Sequence, residues 1–108
     1  MDQAQARQRL LARRAELAEE DRIGAEGRAP VTLQQDSVGR LSRMDAIQQQ
    51  AMAQAEERRR AAERMRIMAA LERLEEGEWG FCATCGEEIA EGRLRNDPST
   101  ALCIGCAA

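Results

Sequence analysis

Four cysteines close the sequence as two C-x-x-C pairs, Cys82/Cys85 and Cys103/Cys106, with seventeen residues between them. Two such pairs at this spacing can wrap one tetrahedral zinc ion, each pair offering two sulfurs from a tight turn. The chain contains no histidine, so a four-thiolate cage is the complete ligand set it can offer. A closed cage leaves no position for water or substrate, and a structural rather than catalytic Zn2+ is therefore expected. The competing readings are two disulfides or four free thiols. Residues 1–20 are charged and carry no apolar run, so no export signal is expected and, with it, no disulfides. A redox pair is disfavoured because no βαβ pattern surrounds either C-x-x-C. The expected location is cytoplasmic.

The rest of the sequence is poor material for a thick core. Of 108 residues, 32% are charged, and Trp79 and Phe81 are the sole aromatics. Leucine, alanine and methionine supply most of the apolar content, which suits long helices packed along a narrow seam. The formal charge is −3, and four thiolates with one Zn2+ bring it to about −5. Such a chain is a poor non-specific DNA binder, because that binding rests on neutralising phosphates. Sequence-specific DNA binding is not expected, and no stretch is long enough to span a membrane.

Residues 2–23 are free of Gly and Pro and read as a first helix, with Leu10 and Leu17 seven apart and Ala6 and Leu11 beside them. Gly24, Gly27 and Pro30 predict a loop over 24–30. A second helix is expected to start between Leu33 and Ser42 and run to about Glu76, a continuous part on the order of 55 Å long. Its stripe reads as Ala51, Ala55, Ala62, Met65 and Ala69, broadened by Met68, Leu71 and Leu74. Glu56–Arg60 and Glu63–Arg66 are spaced for pairing within the helix. The fold class follows: mainly α, an antiparallel two-helix coiled-coil hairpin over 1–76 with a four-cysteine zinc finger over 77–108. Residues near 11 should face residues near 61, and residues near 22 those near 50. The tip lies at about 23–47. Trp79 and Phe81 are expected to wedge the finger against the helix base.

The cysteine block carries a pattern beyond the metal ligands. Gly80, Phe81, Cys82, Cys85, Gly86, Glu88 and Ile89, followed by Arg93, Leu94, Pro98, Leu102, Cys103, Ile104 and Cys106, resemble the DksA/TraR family of zinc-finger regulators. The helical part resembles it in length and pattern. The resemblance implies binding to bacterial RNA polymerase rather than to promoter DNA. The coiled coil would enter the secondary channel, and the tip would alter open-complex stability, inhibiting stable-RNA promoters and activating others. Guanosine tetraphosphate (ppGpp), the signal of the stringent response, often strengthens this in the family.

The family's tip pattern, D-x-x-D-x-A, is not reproduced; ungapped matching places Gly39, Ser42 and Met44 there. Asp45 with Ala46, supported by Arg43, is the nearest alternative, and Asp36 the next. The same matching puts three basic positions of the family's ppGpp site at Arg66, Asp97 and Ala107, of which Arg66 is the candidate contact. A capping or solvating role for either aspartate is the competing interpretation.

Two other classes remain open at this stage. One is a nucleic-acid-binding zinc knuckle using Arg58, Arg59, Arg60, Arg93 and Arg95. The other is a self-associating coiled coil, although the Gly/Pro loop favours an intramolecular hairpin and hence a monomer. An enzyme is not expected, since no histidine, phosphate loop or open metal site is present.

Overall fold

A computed structural model describes residues 1–27 and 40–107. Two long helices, α1 (Gln3–Gly27) and α2 (Arg40–Glu76), run antiparallel, and a short α3 (Glu91–Asn96) lies within the cysteine module. The molecule is slim, 60 × 27 × 19 Å along its principal axes. No described helix is long and apolar enough to cross a membrane.

α1 starts with a reciprocal cap. The Asp2 carboxylate accepts from the Gln5 amide at 2.8 Å, and Gln5 Oε1 accepts from the Asp2 amide at 3.1 Å. Two of the donors that a helix start leaves orphaned are thereby satisfied. The helix continues through Gly24 to Gly27, four residues past the expected end. Glycine weakens a helix by about 1 kcal/mol but does not by itself end one. The expected loop over 24–30 is thus helical to Gly27, and its remainder lies outside the described residues.

α2 ends at a Schellman-type stop. Gly77 adopts φ 77°, the Glu78 amide returns to the Arg73 carbonyl at 2.8 Å, and the Gly77 amide to the Leu74 carbonyl at 3.4 Å.

The seam differs from the expected stripe. Ala6, Leu10 and Leu17 of α1 and Ile67, Ala70 and Leu74 of α2 are buried, whereas Leu11 is exposed and Met65 and Met68 are 72% and 56% exposed. Toward the tip the inward positions of α2 turn polar or small: Arg64, Arg60, Glu57, Ala53, Gln50 and Ala46 are half-buried. Charged side chains therefore occupy inward positions, and the alanine-methionine stripe points elsewhere.

Arg60 and Arg64, with Glu63, pair between helices rather than within α2. Arg13 grips Glu63 with two parallel hydrogen bonds of 2.7 and 3.0 Å. Asp21 accepts from Arg60 Nε at 2.8 Å and also from Arg64. The expected Glu56–Arg60 and Glu63–Arg66 pairs yield to these cross-helix partners. The register is also shifted by one turn or more, since Arg13 would otherwise have faced residue 59. α1 sits nearer the base because it docks on the cysteine module there. Its N-terminal ammonium reaches Glu91 at 2.5 Å, and Arg9 donates to the Arg95 carbonyl at 2.5 Å.

Candidate metal centre

Each C-x-x-C forms the same backbone turn. The Gly86 amide donates to the Cys82 carbonyl at 2.9 Å, and the Ala107 amide donates to the Cys103 carbonyl at 3.0 Å, four residues on in both cases. Gly86, at φ 79°, turns the first loop away from its cysteines. The Ala83 amide then donates to the Ala101 carbonyl at 2.8 Å, tying the two turns together. An antiparallel bridge between Phe81 and Glu88 closes the base of the first turn. The spacer holds α3, whose buried Leu94 joins Ile89, Trp79 and Cys82 in the core.

This framework gathers all four sulfurs within 4.8 Å of one another, with Cys85 and Cys103 Sγ atoms 3.6 Å apart. A tetrahedral site with Zn–S bonds of ~2.3 Å needs sulfurs about 3.8 Å apart, so the donor set fits. The electrostatics point the same way. Backbone amides of Cys103 and Cys85 lower the Cys82 thiol to about 6, while the neighbouring Cys103 sulfur, then Cys82 and Cys85, push Cys106 up to about 12. One thiolate forms readily and the last resists, so a divalent cation is what lets four coexist. The centre holds one structural zinc ion.

The module is fixed to the helices through Trp79, which is 6% exposed and donates from Nε1 to the Pro98 carbonyl at 2.9 Å. Arg73 of α2 reaches the Ser99 carbonyl at 3.4 Å. Arg93 reaches the Leu102 carbonyl at 3.0 Å. Phe81 does not share the wedge; it is 44% exposed, because the Phe81–Glu88 bridge turns it outward beside Arg73 and Glu78.

Arg43, Asp45 and Ala46 lie in the first two turns of α2, with Arg43 and Asp45 exposed and Ala46 half-buried. Asp36 and Gly39 lie outside the described residues, and Ser42 is within α2. At the other end of the molecule, Arg66, Asp97 and Ala107 line one open pocket of about 290 Å³ together with Arg73 and Arg93. The Asp97 carboxylate is engaged there, accepting from the Ser99 amide at 3.0 Å and hydroxyl at 2.6 Å. Burial lowers the pKa of Arg73 from its ordinary value. Arg73 escaped the sequence reading because its place beside the finger depends on where α2 stops.

A zinc-stapled antiparallel hairpin of this kind defines a class of C4 zinc-finger proteins. The family model "Prokaryotic dksA/traR C4-type zinc finger" matches residues 77–108. An uncharacterized protein of Aquifex aeolicus is 53% identical over 38 residues, 35% of this chain and 26% of that protein. The RNA polymerase-binding transcription factor DksA of Haemophilus influenzae is 44% identical over 41 residues, 38% of this chain and 28% of that protein. These alignments thus span about a quarter of the curated relatives. Over the whole fold, the structure of transcription factor DksA2 from Pseudomonas aeruginosa superposes with a TM-score of 0.74 at 27% identity, covering 95% of this chain and 78% of the other. Residues 77–108 thus form a dksA/traR-type C4 zinc finger, and the chain as a whole is DksA-like in fold.

Proposed function

We propose that this chain is a transcription regulator that binds bacterial RNA polymerase, enters its secondary channel and alters open-complex stability with the hairpin tip. The observation that carries the reading is the likeness over 95% of the chain to a DksA2 structure, hairpin and finger together. The shape suits the task. A molecule 60 Å long and 19–27 Å across, most of it hairpin, can enter a narrow opening but is too thin to enclose a substrate. As in the family, the role is regulatory rather than enzymatic.

Asp45 is the working tip acid, with Arg43 and Ala46 beside it and Asp36 as the alternate. Its exposure in the first turns of α2 leaves the carboxylate available to basic groups of the polymerase. Arg66 is the ppGpp contact. Arg66, Arg73 and Arg93 around one pocket, with the Asp97 carboxylate turned to Ser99, favour a phosphate-rich ligand.

The test is transcription in vitro from a stable-RNA promoter with purified polymerase, with and without the chain, followed by ppGpp titration. Inhibition that is lost in Asp45→Asn while polymerase binding persists is the expected result. No inhibition and no polymerase binding would sink the reading. Inhibition retained in Asp45→Asn but lost in Asp36→Asn would move the tip assignment.

A further inference from the structure

The outer face of α2 carries a second apolar stripe that lies largely outside the hairpin core, with Ala55 and Ala69 half-buried. At 3.6 residues per turn, Met44, Ile47, Ala51, Ala55, Ala62, Met65 and Ala69 fall within about 60° of one line along the helix. Met44, Ile47 and Met65 are 51%, 55% and 72% exposed. On the same face stand Arg58 and Arg66, with no acid on it between residues 44 and 69; Arg59 lies at its edge, and Glu72 and Glu76 follow beyond the end of the stripe. That segregation is notable in a chain whose formal charge is −3.

The arginines of α2 thus divide by face. Arg60 and Arg64 point inward and share the Asp21 carboxylate. Arg59 turns toward the cleft that holds Glu20 and Glu56, and Arg73 toward Ser99. Arg58 and Arg66 are exposed, and neither makes an ion pair or a side-chain hydrogen bond within the described residues.

We infer that this face docks an acidic amphipathic helix of a partner protein. Its apolar stripe would lie on Met44, Ile47 and Met65, and its carboxylates against Arg58 and Arg66. The inference rests on the reading of the chain as a protein-binding regulator and names the chemistry of the surface it grips. Charge excludes a second copy as the occupant. A parallel copy in register sets Arg58 on Arg58 and Arg66 on Arg66. An antiparallel copy centred on the stripe brings both Arg58–Arg59 pairs to the crossing point, and like charges in contact are costly. Size sets the strength. A single helix face about 38 Å long and about 10 Å wide offers on the order of 400 Å², below the ~800 Å² per partner of a standard interface. The face therefore supplies part of a binding energy and gives a salt-sensitive contact.

The test uses the zinc-loaded full chain and two synthetic helical peptides with the same leucine stripe, one flanked by glutamates and one by lysines. Fluorescence anisotropy should show binding of the glutamate peptide, weakening with salt, and none of the lysine peptide. Arg58→Glu with Arg66→Glu should invert that preference, and Met65→Lys should weaken binding by about tenfold, with zinc content and helicity unchanged in both. Equal binding of the two peptides, or no change in the charge-reversed variant, would overturn the inference. So would a concentration-dependent mass that Met65→Lys abolishes, which would assign the face to a second copy. In parallel, polymerase bound equally by wild type and the charge-reversed chain overturns the inference and leaves the proposed function standing. Glutamate-peptide binding without polymerase binding does the reverse.

Discussion

Trp79 Nε1 donates to the Pro98 carbonyl at 2.9 Å across nineteen residues of chain, joining the exit of α2 to the segment that follows α3. Both residues are buried, so the bond and the packing act together. Trp79→Phe keeps much of the ring but strands a buried carbonyl, at a cost of about 1–3 kcal/mol. Trp79→Ala adds a cavity and should cost about 3–5 kcal/mol. Thermal unfolding of the zinc-loaded protein checks the order: wild type above Phe, Phe above Ala. Equal melting temperatures for the two variants would mean that the hydrogen bond, not the ring, does the fastening.

Removing the metal should separate the two halves of the molecule. Without Zn2+ the four thiols cannot all ionise, given the opposed positions of Cys82 and Cys106. Cys82→Ser or Cys103→Ser should release zinc and abolish amide protection over 80–107, since the metal supplies much of a small module's folding energy. The inner turns of α1 and α2, with Leu17 and Ile67 buried, should keep more of their helicity. Binding also expels protons, so zinc affinity should fall as pH falls. A metal-indicator titration with hydrogen exchange reads both effects. Stoichiometric zinc retained in Cys82→Ser would refute the four-thiolate cage.

Much of this architecture was legible in the sequence, for identifiable reasons. The cysteine spacing alone specifies a metal cage, and the absence of Gly and Pro from 40–76 specifies a long helix. The phase of the seam was not legible. Arg60, Glu63 and Arg64 occupy inward positions, so hydrophobic periodicity tracks the outer stripe through Ala55, Ala62 and Met65 instead. The register was not legible because it is set by Met1 and Arg9 docking on Glu91 and Arg95, some ninety residues away in the chain. At the candidate sites, the four ligands follow from spacing. The placement of Arg73 beside Arg66 and Arg93 needed the fold.

The stop of α2 offers a conformational test. A Cβ at Gly77 would meet nothing within 4 Å, so space does not forbid a side chain there. The φ of 77° does impose a cost. Gly77→Ala should lose about 1–2 kcal/mol from left-handed backbone strain. Gly77→Asn should lose less, since asparagine tolerates that region better. Chemical denaturation at fixed zinc measures both. Equal stability of all three proteins would show that α2 can end without the left-handed residue.

Asp21 gives the hairpin a dependence on pH. Hydrogen bonding to Arg60, reinforced by Arg64, holds its carboxyl below the usual value, and Arg13 does the same for Glu63. A carboxylate whose folded pKa is depressed stabilises the fold above its unfolded pKa, about 4. That contribution disappears as pH falls through the lower folded value. Helix stability should therefore decline as the solution is acidified below about pH 4, and Asp21→Asn should lose part of that decline. The clamp is only partly shielded, with side chains 15–34% accessible. Its loss at neutral pH should accordingly cost little, nearer an exposed pair than a buried one. Because acid also strips zinc, the decisive quantity is the difference between wild type and Asp21→Asn at each pH, followed by circular dichroism. A constant difference from pH 7 to pH 2 would mean that Asp21 does not titrate with folding, and that Arg60 and Arg64 hold α1 by packing alone.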